Sequence, residues 1–538
     1  MSASGARSRE PSSERASQRV GVAVRLFVTV WLVYAIHFSS NVVRESYLAV
    51  ALGEKLSVRV DEYLGLHPDL FEIPGRGGYI NNNPGASMLG AIPYAAARPF
   101  MAALFRVKPE LVRPKPPATY DDARPNRQRF MNLARERGLD VKLVLAALSM
   151  HLGLMAPLAA LAAVVMFMFL GVRLGDSRLA LWLALLYAFG TPIFFRSAFL
   201  NQNAIVAHCV LFAYVLLAGI RPRAIGETPS SRQVMGAGAL LGLALLTDYS
   251  ALPFIIAFGV WMLVMSWRTG GASRSARAAL DMSLGAVVPI ALLLAYQWAA
   301  FGSPWFPAQR YMPATFLSVR GWNGFSVPSL ELFWRNLLDP GYGLFAFSPM
   351  LIAALASPFI ARGRGGPSTS ELWLIFGASA LLLLFSSANQ FAFLQWNTGV
   401  RYMVPAGALL FLAMVPVLLR APRWLMWTLV VVTLTVSWSV AMTRENVNVA
   451  LPQVLVGGFT LPILIVIRKT ASGYADFVSQ TGVSPLPIFT LVGVTLWLIW
   501  RGVRLSSTEP DPVVNADGGA AVQLPPRTRS EARLRERV

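Results

Sequence analysis

The chain has 538 residues, of which 55% are hydrophobic and 14% charged, and its mean hydropathy is +0.53. Globular chains average about 25% charged residues, and here the apolar excess is gathered into blocks of roughly 15–28 residues between short polar breaks, which excludes a soluble enzyme, a disordered chain and a coiled coil and leaves an all-α polytopic membrane protein. The formal charge of +20 is carried almost entirely by arginine; basic loops that orient membrane helices account for it better than nucleic acid does.

Residues 1–19 are polar, rich in Ser and Arg and without an aromatic residue, and read as a disordered cytoplasmic tail. The apolar block from Val20 to about Val43 is too long for the core of a signal peptide, and no clear small-residue cleavage site follows it. It is predicted to be the first transmembrane helix. A long polar region, about 44–142, comes next. Inside it, Pro84 to Phe105 is apolar but carries Pro93, Arg98 and Pro99, and an interfacial or re-entrant helix is expected there, with a true span as the alternative.

Twelve further blocks are near spanning length: 143–171, 178–195, 203–220, 233–247, 250–267, 281–301, 344–361, 371–388, 401–419, 424–442, 450–467 and 485–500. A hydrocarbon core of about 30 Å needs about 20 helical residues, so 233–247 is short. With the N-terminus cytoplasmic and 84–105 not crossing, the cytoplasmic loops between residues 143 and 470 hold fourteen basic residues and the opposite loops six. The positive-inside rule favours that topology. The expected organisation is a membrane domain over 20–501 of about 13 transmembrane helices, with a first extracytoplasmic loop (44–142) carrying interfacial helices and a second large one (302–343). The tail 502–538 contains Pro and Arg and is expected to be disordered. Within the first loop, 106–142 carries ten basic residues against five acids and suits an anionic acceptor, lipid headgroups or a partner subunit. The single cysteine, Cys209, lies in an apolar run, so no intramolecular disulfide and no paired-cysteine metal site is expected.

Polar residues recur at what this topology makes the outer face. The first loop opens with Arg44-Glu45 and continues to the adjacent acids Asp61 and Glu62 before Tyr63. Two carboxylates sharing a desolvated site push one pKa up and make a base; the alternative is a pair of solvated loop acids. Tyr79-Ile80-Asn81-Asn82-Asn83-Pro84-Gly85 is a polar turn whose amides can orient a hydroxylated ligand. Gly190-Thr191-Pro192 leads to Arg196, Asn201, Gln202, Asn203 and His208; Thr247-Asp248-Tyr249 closes a helix; Phe301-Gly302-Ser303-Pro304 opens the second loop; and Trp396 to Tyr402 precedes another helix. Each has a structural alternative: a hydrogen-bonded core histidine for His208, a helix-end residue for Asp248, an aromatic belt for Trp396. Ionisable groups collected at one membrane depth are costly and usually functional.

In order and sidedness these stretches resemble the GT-C membrane glycosyltransferases, in particular the bacterial branch of protein O-mannosyltransferases and aminoarabinose transferases. That family pattern has an acidic motif in the first outer loop, matched by Val60–Tyr63, and a Tyr-x-x-Lys-Pro-Pro-Gly loop, matched by Tyr79–Gly85. It continues with Gly-Thr-Pro followed by a histidine (Gly190–His208), Thr-Asp-Tyr (Thr247–Tyr249), Phe-Gly-Ser-Pro (Phe301–Pro304) and Trp-x-x-Gly-x-Arg-Tyr (Trp396–Tyr402). The resemblance covers about residues 20–420. The lysine and first proline of the loop motif are replaced by asparagine, Asn83 among them, which weakens phosphate binding by that loop.

The resemblance implies transfer of a sugar from a polyprenyl-phosphate donor at the outer face of a bacterial inner membrane, to an acceptor that the sequence does not identify. A phosphate leaving group needs no general acid, so one carboxylate base and a cation suffice. Asp61 is expected to be the base, with Glu62 its competitor. Arg401 and Arg44 are expected to bind the donor phosphate, since a guanidinium fork suits bidentate contact. Tyr79, Asn81, Asn82, Asn83, His208, Asp248, Trp396 and Tyr402 are expected to contact sugar or acceptor. The four histidines show no ligand spacing, so no metal or other cofactor is expected. The rival readings are a lipid-linked sugar flippase and a non-catalytic subunit of the same fold.

Overall fold

The computed structural model describes residues 11–118, 125–221, 223, 227–314, 319–360, 366–393, 399–471 and 484–503. In chain order its elements are α1 (Pro11–Ile36), α2 (Arg44–Lys55), a 3-10 turn Asp61–Tyr63, strands β1 (Leu70–Ile73) and β2 (Gly77–Ile80), α3 (Gly85–Val107), α4 (Pro125–Glu136), α5 (Asp140–Met150) and α6 (Ala156–Leu174). They continue with α7 (Ser177–Gly190), α8 (Ile193–Arg196), α9 (Gln202–Ala218), α10 (Ser231–Thr247), α11 (Leu252–Phe301), α12 (Leu330–Leu338), α13 (Leu344–Phe347) and a 3-10 helix Pro349–Phe359. The last are α14 (Thr369–Ala388), α15 (Val404–Arg420), α16 (Arg423–Thr443), α17 (Val447–Gly457), α18 (Pro462–Ala471) and α19 (Leu486–Trp500).

The architecture is an all-α polytopic membrane protein, and each apolar block read from the sequence forms mainly helix among the described residues. Among the described residues six helical segments are long and apolar enough to cross a membrane: Gln18–Ile36, Gly85–Val107, Asp140–Leu174, Tyr249–Phe301, Thr369–Ala388 and Arg423–Thr443. Other predicted spans are apolar helices of 10–17 residues, such as α7, α9 and α15. At 1.5 Å per residue such helices cover only part of a 30 Å core, roughly, by themselves.

Some boundaries differ from expectation. Helix α1 already runs from Pro11 and stops at Ile36, so residues 11–19 extend the first helix while 38–43, expected within it, carry no regular structure; residues 1–10 and 504–538 lie outside the described part. The block 84–105 is one continuous helix of 23 residues despite Pro93 and Pro99. The block 344–361 divides into α13 and a 3-10 helix, and 450–467 into α17 and α18. The blocks 250–267 and 281–301 are the two arms of α11, broken at Gly270 and Gly271, where Gly271 takes a φ of 67°. A side chain is strained at that φ.

The α10–α11 pair shows why small residues are used between membrane helices. A Cβ on Gly238 would land on the carbonyl of Met282, and one on Gly285 on the carbonyl of Met235. The backbones themselves are in contact, which only glycine permits. Gly285→Val is expected to cost roughly 1–3 kcal/mol through overpacking, seen as a lower melting temperature in detergent; an unchanged melting temperature would contradict this packing.

At the centre stands α9, in which every residue except Phe212 and Leu216 is buried. A helix apolar around its whole circumference belongs in the interior, and α15 packs beside it. The polar residues of α9 gather at its N-terminal end, where the Asn201 side chain accepts from Ala204 N–H at 3.0 Å. Some of the basic residues of 106–142 are engaged by the rest of the protein. Lys115 pairs with Asp140 at 3.2 Å, Lys142 with Glu54 at 3.1 Å, and Arg137 donates to the carbonyls of Glu62 and Leu64. These contacts tie the two ends of the first loop together.

Candidate functional site

A dense buried polar cluster forms where α2 begins. The chain leaves α1 at Ile36, crosses to Arg44 without regular structure, and starts a helix whose residues 44–51 are all buried. Two charged residues therefore enter the protein side by side. Arg44 Nε donates to Glu45 Oε1 at 2.9 Å, and Arg44 Nη1 donates to Asp69 Oδ2. The third face of the guanidinium meets α9: the Gln202 amide accepts from Arg44 Nη2 at 3.0 Å and donates to Glu45 Oε1 at 3.3 Å. Asn82 Nδ2 adds a bond to the same Glu45 oxygen at 2.8 Å.

A hairpin supplies Asp69. Strands β1 and β2 pair antiparallel with Leu70 opposite Ile80, which sets Asp69 beside Asn81. Asn81 donates twice to it, from its backbone N–H to the Asp69 carbonyl at 3.1 Å and from Nδ2 to Oδ1 at 3.0 Å. Gln309 of the second loop donates to the Asn81 carbonyl at 2.8 Å. Asn83 Nδ2 donates to the Leu245 carbonyl at 2.8 Å and fastens the turn to α10. Gly85 then lets α3 start directly against Leu246 and Thr247, a space that a Cβ would fill.

The charges hold one another. Burial opposes ionisation of Asp69, but Arg44, His67 and Arg401 outweigh it and bring its pKa down to about 2. Burial also opposes the charge on Arg44, and Glu45 and Asp69 reverse the effect, so its pKa is raised. For His67 burial dominates and the pKa is lowered, with Arg44 and Arg401 adding to the effect and Asp69 and Glu45 opposing it. Arg196 and Arg401 are two further cations close enough to act on one another. Arg196, at the end of α8, is 5% exposed and donates to the Gly399 carbonyl at 3.4 Å. Its pKa falls to about 9, mainly through burial and then through the neighbouring Arg401. Arg401 itself lies over the Tyr402 ring at 5.1 Å. Arg401, whose charge acts on Arg196, His67 and Asp69, adds a cation to the carboxylates already bound to Arg44, a setting suited to an anion.

No family model matches the chain, and no curated protein does. Among solved structures it is similar to ArnT from Cupriavidus metallidurans bound to undecaprenyl phosphate, with 14% identity, 91% of this chain and 76% of that one covered, and a TM-score of 0.46. The apo state of the same protein gives 14% identity, coverage of 90% and 76%, and a TM-score of 0.45.

The network brings together Arg44, Asn81 and Asn82 of the predicted residues, and Arg401 and Tyr402 act on it electrostatically. Other predicted residues stand apart from it. Asp61 accepts from Gly78 N–H at 2.5 Å and pairs with Arg59 at 2.7 Å on a solvent-facing turn. Glu62 pairs with Lys55 at 3.4 Å and Lys142 at 3.7 Å. Tyr79 donates to the Arg76 carbonyl at 3.1 Å and packs its ring on Phe301. Asp248 receives Ser250 N–H at 2.8 Å. His208 is fully buried in α9 beside Phe212, and neither ring nitrogen has a hydrogen-bond partner among the described residues. Trp396 lies outside the described residues. Sequence reasoning did not single out His67 or Asp69 as site residues, and it quoted Glu45, Arg196 and Gln202 without giving them a role.

Proposed function

We propose that this multi-pass protein transfers a sugar from a polyprenyl-phosphate donor to an acceptor hydroxyl at the outer face of a bacterial inner membrane, with its N-terminus cytoplasmic. The observation that carries the reading is the buried pairing of Arg44 with Asp69 and Glu45, on whose Asp69 the charge of Arg401 also acts. The family resemblance of the motifs supports the donor class.

In this reading the guanidiniums of Arg44 and Arg401 hold the donor phosphate. The acceptor oxygen attacks the anomeric carbon, the carbon–oxygen bond to phosphate breaks, and its electron pair leaves on the phosphate, so the anomeric centre inverts. The acceptor proton goes to a carboxylate. Asp69 suits this better than Asp61, whose contacts are Arg59 and Gly78 on the solvent side. An empty site keeps Asp69 weakly basic. A bound phosphate competes for the same arginines, weakens their hold on Asp69 and raises its basicity when the donor is in place.

Purified protein with labelled polyprenyl-phosphate sugar and a membrane acceptor extract is expected to give labelled acceptor and free polyprenyl phosphate. Movement of the donor across vesicles without transfer would point to a flippase instead. Arg401→Ala is expected to lower transfer about 10²–10³-fold, as loss of a preorganised cationic contact does elsewhere; activity within threefold of the parent would remove Arg401 from the site.

A further inference from the structure

His67 is the remaining ionisable side chain of the site, and its geometry fixes its chemistry. Its Nδ1 lies 3.1 Å from the backbone N of Asp69. A backbone amide only donates, so Nδ1 carries a lone pair. Asp69 Oδ2 approaches the same nitrogen at 3.8 Å, too far for a hydrogen bond and therefore no reason to place a proton there. The neutral ring then has its one proton on Nε2. The ring packs near Tyr47, with centroids 6.5 Å apart, and its side chain is 22% exposed. It stands in the fields of Arg44, Glu45, Asp69 and Arg401. The carboxylates of that set are already engaged, Glu45 by Arg44 and Asn82 and Asp69 by Arg44 and Asn81.

We infer that His67 is a donor-binding residue, a neutral imidazole that gives its Nε2–H to an oxygen of the donor phosphate between Arg44 and Arg401. A neutral N–H donor adds direction to two cations without adding a third charge to be desolvated. The inference rests on the glycosyltransferase reading for the identity of the ligand. The turn 67–69 then uses both ends of the ring: Nδ1 accepts from the Asp69 amide at the start of the hairpin, and Nε2–H is left for the ligand.

The two ring nitrogens can be separated by substitution. Asparagine places an acceptor near the Nδ1 position and removes Nε2; glutamine places a donor near Nε2 and removes the Nδ1 acceptor. Equilibrium binding of labelled sugar-free polyprenyl phosphate to the detergent-purified full chain is the readout, with the matching polyprenyl alcohol as control. His67→Asn is expected to weaken phosphate binding roughly tenfold and to leave the alcohol unaffected. His67→Gln is expected to bind within about threefold of the parent. Unchanged binding by His67→Asn, or equal losses in both variants, would overturn the inference. Nitrogen NMR of the unsubstituted protein with isotope-labelled histidine tests it without any variant: an Nε2–H tautomer whose Nε2 resonance moves on adding polyprenyl phosphate is expected, and an Nδ1–H tautomer or an unmoved resonance would overturn it. Absence of any phosphate binding by the parent overturns this inference and the proposed function together. Normal phosphate binding without sugar transfer removes the proposed function alone.

Discussion

Arg44→Ala is expected to abolish sugar transfer and to destabilise the protein by roughly 3–5 kcal/mol, the usual cost of removing one partner of a buried ion pair. The guanidinium side chain is 10% exposed and Glu45 1%, so neither water nor salt replaces the lost cation. Glu45 would keep its bonds from Asn82 and Gln202, but both are neutral donors and leave its charge uncompensated. Asp69 would lose its direct cation and with it the anchor between hairpin and α2. Arg44→Lys separates charge from geometry. An ammonium restores one positive charge but cannot point a planar fork at Glu45, Asp69 and Gln202 together. Its stability is expected to fall between the parent and Arg44→Ala, with transfer still strongly reduced. The double variant Arg44→Met/Glu45→Gln is expected to melt above Arg44→Ala because no bare carboxylate remains at position 45. Melting curves in detergent, with transfer assayed on the same samples, check all three. If Arg44→Ala melts with the parent, the buried network is not holding the loop.

The membrane helices were legible because their composition leaves little choice. A block of about 20 apolar residues has few fates other than a span or a buried helix, and each such block is mainly helical among the described residues. What composition does not show is where a helix breaks within a block. Gly270-Gly271 interrupts α11, and Gly457-Gly458 closes α17, through local φ values that hydropathy ignores.

The site was legible in part, and the division has a physical cause. Asn81 and Asn82 stand in a turn rich in asparagine, a pattern visible locally. Asp69 follows His67 and Pro68 in an irregular stretch with no periodicity, and it matters only because the β1–β2 register carries it back to Asn81 and Arg44. Adjacent carboxylates drew the reading to Asp61-Glu62, but adjacency in a 3-10 turn does not make them share a buried space. Arg59, Lys55 and Lys142 meet them from the sides. Glu45, next to an arginine at a membrane helix exit, was the better marker of burial. Its partners Gln202 and Asn82 are 157 and 37 positions away, a pairing that requires the fold.

Asp69→Asn is the variant that divides binding from chemistry. The amide keeps the size of the side chain and one acceptor oxygen, so the hairpin can keep a bond from Asn81 or Arg44. It cannot take a proton. Sugar transfer is expected to fall about 10²–10⁴-fold, the range for losing a positioned general base, while polyprenyl-phosphate binding stays within about threefold or tightens. Tightening is reasonable because the substitution removes a negative charge that competes with phosphate for Arg44 and Arg401. Asp61→Asn, measured alongside, is expected to keep transfer within about threefold. The reverse ranking would return the base to Asp61. Stability against pH gives an independent check. Asp69 has a folded pKa of about 2 against an ordinary 3.8, so its ionised form is favoured by folding. Its contribution is complete above the unfolded value and is lost as the pH falls through 3.8 towards 2. The parent is therefore expected to lose melting temperature over that window by more than Asp69→Asn does. Parallel acid profiles for the two proteins would mean that Arg44 and Arg401 do not hold the carboxylate in solution, and the case for a phosphate that releases its basicity would fall with them.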